Sequence, residues 1–132
     1  MIRRAFAASL VAFAAMVTPA LATGDISCSG DKGSVDMLVG RLPVVSILRT
    51  VIKIGDKTWS SEPSVMPGMP IAVGQAFEDE RMLVVDFTDD GVSEIVGRLR
   101  VFSLTEGDDW VSAGVFAMKG EGAFIVDCSL RG

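Results

Sequence analysis

Apolar and β-branched residues recur along the chain in short runs, many of them alternating with polar positions and most of them ended by glycine, aspartate or proline. Such runs predict strands rather than helices. The segments expected are Ile26–Ser29, Ser34–Gly40, Val44–Ile54, Thr58–Ser60, Ile71–Phe77, Met82–Phe87, Val96–Leu104, Val111–Lys119 and Ala123–Leu130. Turn chemistry separates them, as in "GDKT" from Gly55, "TEGDD" from Thr105 and "GEG" from Gly120. In the last segment Phe124, Val126, Cys128 and Leu130 share one side while Ile125 and Asp127 share the other, so Cys128 is expected to face a core. The fold class this implies is all-β: a small antiparallel β-barrel or β-sandwich of about eight strands, closed by one N-to-C-terminal disulfide.

One stretch supports two periods. In "VGRLRVF" Arg98 and Arg100 fall on one face, and Gly97, Leu99 and Val101 on the other, as a strand requires. Val92, Ile95, Val96, Leu99 and Phe102 also fit helical spacing, with acids at the start and arginines at the end. Gly91, Gly97 and the β-branched residues disfavour a long helix. The expectation is one helical turn around Asp89–Glu94 leading into a strand; the alternative is an α+β fold with a short helix near 89–102.

Arg3 and Arg4 precede the apolar run Ala5–Val17 and the small-residue sequence "TPALA", which together read as a secretory signal peptide cut after Ala22. The run is too short to span a bilayer, and no further segment in the chain is long and apolar enough to do so. Residues 1–22 are thus expected to be a cleaved leader and 23–132 a single β-rich periplasmic or secreted domain, in a bacterial setting. Removing Arg3 and Arg4 leaves ten of the 12 basic side chains against all 17 acidic ones, so the net charge moves from −5 to −7. An acidic surface repels polyanions, which makes nucleic acid and anionic lipid poor partners.

Both cysteines, Cys28 and Cys128, lie in the exported part near its two ends. Export into an oxidising compartment makes their pairing the expected fate, and a Cys-x-x-Cys redox pair is missing. Their bond requires the first and last strands to be neighbours.

The side-chain inventory narrows the chemistry. Without histidine or tyrosine, serine–histidine–acid and cysteine–histidine catalysis are excluded, as is zinc catalysis on histidine ligands. Carboxylate pairs such as Glu78 with Glu80 are read as solvated surface acids, so no enzyme and no catalytic residue is expected. The acidic stretch "DFTDDGVSEIVG" from Asp86 to Gly97 begins like a twelve-residue calcium loop, but its twelfth position is Gly97 where a bidentate glutamate belongs, and its eighth is Ser93. It reads as a turn capped by Thr88 or Asp89 and relieved by Gly91. No resident cofactor or metal is expected.

Two features suggest contacts. "EPSVMPGMPIAVG" sets Met66 and Met69 around Pro67 and Gly68, an adaptable apolar loop, and Trp110 follows the acidic "EGDD" at a hairpin tip. Met66, Pro67, Met69 and Trp110 are therefore the candidate partner contacts. Thioethers also select copper(I), so a soft-metal site on Met66 and Met69 is an alternative, as is carriage of a small apolar ligand inside a barrel. In its signal peptide, length, strand richness and placement of Cys28 and Cys128, the chain resembles the periplasmic inhibitors of c-type lysozyme, which are exported β-barrels. That family's serine- and tyrosine-containing loop has no counterpart in a chain without tyrosine, so inhibition stands as one example of a binding role and no binding residue carries over. The function expected is that of a non-catalytic exported envelope protein that binds another protein or envelope component.

Overall fold

Strict alternation makes the first strand: in β1 (Thr23–Ser29) Gly24, Ile26 and Cys28 are buried while the residues between them face solvent. The computed structural model describes residues 23–131, and the expected leader, 1–22, lies outside the described residues. Eight more strands follow: β2 (Gly33–Arg41), β3 (Val45–Ile54), β4 (Lys57–Ser60), β5 (Met69–Glu78), β6 (Met82–Asp89), β7 (Ile95–Glu106), β8 (Asp109–Met118) and β9 (Gly122–Arg131). They form one closed barrel in sequence order, and no helix occurs among the described residues. Each expected segment overlaps one observed strand. The barrel has nine strands rather than about eight, and it is a barrel rather than a sandwich.

Nine strands that simply alternated up and down would bring the first and last together parallel. Here β1 and β9 are antiparallel, so one other neighbouring pair has to be parallel, and that pair is β4–β5, joined at Trp59–Met69 and Ser60–Pro70. The fold therefore departs from the wholly antiparallel expectation at this one seam. The connecting 61–68 segment is the reason: it carries the chain back along the outside of β3 before β5 begins. Ser61 and Thr50 exchange two hydrogen bonds, Ser61 N–H to the Thr50 carbonyl at 3.0 Å and Thr50 N–H to Ser61 Oγ at 2.8 Å. Arg49 and Glu62 pair at 3.4 Å beside them. Val51, whose side chain points outward, is buried beneath this segment.

Closure is covalent as well as hydrogen-bonded. Cys28 and Cys128 stand directly opposite in the β1–β9 register, bonded, with α-carbons 4.1 Å apart. The head-to-tail pairing expected from the sequence is thus what joins the barrel seam. Inside, the centre is filled by Phe87, Phe116 and Phe124 from β6, β8 and β9, packed edge to face with centroids 6.3 and 5.7 Å apart. Gly114 faces this interior, and a Cβ there would collide with the carbonyl oxygen of Arg100 on β7. Glycine at that position lets β7 and β8 approach with bulky rings beside them.

The helical turn expected around Asp89–Glu94, and the alternative helix near 89–102, are both replaced. Residues 89–92 form a β-turn, closed by Val92 N–H to the Asp89 carbonyl at 3.0 Å, and β7 starts at Ile95. The cause is the Asp89 carboxylate. It accepts the Ser93 amide at 2.7 Å, the Ser93 hydroxyl at 2.6 Å and the Glu94 amide at 2.9 Å, and so offers those donors a partner other than a helical carbonyl. Asp89 is the turn's cap, as one of the two residues expected, while Thr88 lies within β6.

These bonds hold the Asp89 carboxyl below the usual range, the Ser93 hydroxyl foremost and the Glu94 and Ser93 amides after it. A depressed folded-state pKa means stability that is present above the unfolded value, about 4, and lost as pH falls through the folded one. Asp89→Ala is therefore expected to lower the melting temperature at pH 7, and the gap to the parent protein should close as pH drops below 4. A gap that persists unchanged at pH 2 would mean that Asp89 acts without its charge.

Candidate functional site

At one end of the barrel the inner wall turns polar. Ser103 on β7 and Ser112 on β8 lie opposite each other and share a hydroxyl hydrogen bond at 3.1 Å. Arg41, the last residue of β2, reaches Glu78, the last of β5, through Nε at 2.6 Å and Nη2 at 3.2 Å. β2 and β5 are not neighbours in the sheet, so this forked pair spans the mouth. The next turn is fixed by Asp79, whose carboxylate accepts the amides of Arg81 and Met82, each at 2.8 Å. Those amides, Arg81 first, hold its pKa below the usual range.

Trp110 stands over this layer. It pairs with Thr105 just behind the β7–β8 hairpin tip, where Gly107 adopts a φ of 60° that glycine takes without steric penalty. Trp110 is 45% exposed and lines a cleft of about 290 Å³ with Arg41, Glu78, Glu80, Leu130 and Arg131. Leu42 and Val44, which follow Arg41 in the chain, are exposed. The result is a large indole in a cleft with Leu130, in a rim that carries both signs of charge.

The other sequence-predicted residues lie elsewhere. Met66 lines a groove on the outside of β1–β3 with Asp36, Leu38, Arg49 and Val51. Met69 lines a different cleft, together with Trp59, Val96 and Met118. Pro67 is exposed on the segment between them. Met66, Met69 and Trp110 thus line three different clefts. The acids of 86–97 also diverge: Asp86 accepts from Arg100 Nη2 at 2.9 Å on the outer face, whereas Asp89 caps its turn.

Two features escaped the sequence reading. The Arg41–Glu78 bridge joins residues 37 positions apart and carries no local signal. The second is a broad apolar area on the outside of β7–β9, formed by Phe102, Leu104, Val111, Val115 and Ile125, all more than half exposed. Its signal was present: "LRVFSL" and "AFIV" keep large apolar residues at consecutive positions, so both faces of those strands are hydrophobic.

Comparison with known families, with curated proteins and with solved structures finds no match. Geometry and side-chain chemistry alone carry the functional reading.

Proposed function

We propose that the protein is a non-catalytic, exported envelope module that binds another protein, and that the barrel end around Trp110 is its recognition surface. The observation that carries this reading is the half-exposed indole of Trp110 set in a mixed-charge cleft with Leu130. Tryptophan beside arginine in a partly enclosed site is the composition from which binding hot spots are drawn. The packed Phe87–Phe116–Phe124 centre favours binding on the surface over carriage of an apolar ligand inside the barrel. Met66 and Met69 line different clefts, which favours it over a copper(I) site shared by those two thioethers. The cystine fits an oxidising compartment, so the proposed location is the periplasm or the medium beyond it.

The test is capture from envelope extract on immobilised, oxidised protein, run in parallel with Trp110→Ala and with a Met66→Leu/Met69→Leu double variant. A specific protein should be retained by the parent and by the methionine variant. Its affinity for Trp110→Ala should fall about 30-fold or more, the loss typical of a hot spot. Equal retention by all three proteins would place binding away from the Trp110 end. Retention of only small molecules or copper would refute the protein-binding reading.

A further inference from the structure

The apolar outer face of β5–β9 is organised in rows by the strand register. One row runs Phe77, Val84, Arg100, Val115 and Ile125 across five strands. The next runs Met82, Phe102, Ala113 and Asp127, and a third holds Leu104 and Val111. Leu104 is 75% exposed and Ile125 72%. With strands about 4.8 Å apart and rows about 6.8 Å apart, the patch measures roughly 20 Å each way, on the order of 400 Å². That is the size of the largest apolar patch on a typical monomer, and such patches often serve a function. Of the two charges among these rows, Arg100 is neutralised by Asp86 at 2.9 Å, and Asp127 stands at the β9 end of the middle row.

The charges at the two ends of the patch are opposite in sign and nearly equidistant from its middle. Beyond the Leu104–Val111 row lie Glu106 and Asp109, paired at the hairpin tip. At the other end, beyond the Arg100 row, lies Arg98, exposed and in no ion pair among the described residues. On either side of the Phe102–Ala113 row, the acids and the arginine each stand two rows away.

We propose that this face is an isologous interface with a second copy of the chain. A two-fold axis lying along the Phe102–Ala113 row, across the strands, turns one copy over onto the other with strand directions reversed. Val111 of each copy then covers Val115 of the other, Leu104 packs on the aliphatic stem of the other's Arg100, and Arg98 of each meets Glu106 of the other, with Asp109 on the adjacent strand. Asp127 lies at the β9 end of the axial row, at the edge of the contact. An isologous contact demands this kind of self-complementarity, and a closed barrel offers no strand edge for self-association, so a face has to serve. A specific interface buries at least about 1,000 Å² in total, roughly 500 Å² per partner, which the apolar rows reach with a charged row at each end. The reversed arrangement points the two Trp110 mouths in opposite directions, and both stay open.

Sedimentation equilibrium of the oxidised protein at micromolar concentrations and 0.15 M salt should give twice the chain mass. Leu104→Lys and Val111→Lys, both at exposed positions, should leave the circular dichroism spectrum intact and raise the dimer dissociation constant 100-fold or more. Arg98→Glu and the pair Glu106→Lys/Asp109→Lys should each weaken self-association. An equimolar mixture of those two variants should restore a heterodimer, because both charge contacts then reappear with their signs exchanged. A parent protein that stays monomeric up to about 100 μM would overturn the proposal. So would a mixture that shows no rescue, or a parent monomer that sediments with phosphatidylcholine vesicles.

Discussion

Replacing Cys28 and Cys128 together with alanine is expected to lower the unfolding free energy by about 4–5 kcal/mol, the chain-entropy value for a closed loop of about 100 residues. Alanine is the right substitute because Cys28 is fully buried and a serine hydroxyl there would add an unrelated desolvation penalty. The expected loss is large against the 5–15 kcal/mol by which small domains are stable. It falls on the weakest point of the topology. Every other neighbouring pair of strands is joined by a connection within the chain, whereas β1 and β9 meet only after all the others have been placed. Urea unfolding of the oxidised parent, the reduced parent and the double variant decides the matter. The two thiol-free or reduced forms should agree with each other and differ from the oxidised one. A loss below about 1 kcal/mol would mean that the hydrogen-bonded seam holds the barrel shut unaided and that the cystine adds little to it.

Phe116→Ala should cost about 3–5 kcal/mol, toward the upper part of that range. Phe116 is fully buried and its ring is the middle of three, edge to face with Phe87 on one side and Phe124 on the other. Truncation removes both aromatic contacts and leaves a void that three strands, tied into a closed ring, cannot collapse to fill. Phe116→Leu, which keeps most of the volume, should cost clearly less. The contrast is read from the urea midpoints at constant slope. If the alanine and leucine variants lost equal amounts, the barrel centre would be more adaptable than its packing implies.

Much of the architecture was legible from residue order. Alternation such as Gly24, Ile26, Cys28 and Phe124, Val126, Cys128 sets a period of two, and a period of two leaves a strand no choice about which side goes inward. Gly55, Gly107 and Gly120 mark the turns because each adopts a positive φ. The segment around Asp89 was harder, since Val92, Ile95 and Leu99 satisfy a helical period as well as part of a strand's. What tipped it was one carboxylate taking three hydrogen bonds from Ser93 and Glu94. Such competition depends on the path of the backbone and cannot be read from spacing. The candidate contacts were legible only as residue types. Met66, Met69 and Trp110 are conspicuous in the chain, but which of them share a surface depends on how the 61–68 segment crosses β3.

By itself, then, residue order determined the strands, their turns, the inward position of Cys128 and the acidic character of residues 23–132, because each of these follows from local periodicity, turn stereochemistry or a count of charges. The tertiary structure alone decided that nine strands close a ring, that β4 and β5 run parallel, that Arg41 and Glu78 bridge the mouth, and that Phe102, Leu104, Val111, Val115 and Ile125 make one patch. Those outcomes depend on which distant strands become neighbours and in what register. That is a competition among long-range pairings, and it leaves no imprint at any single position in the chain.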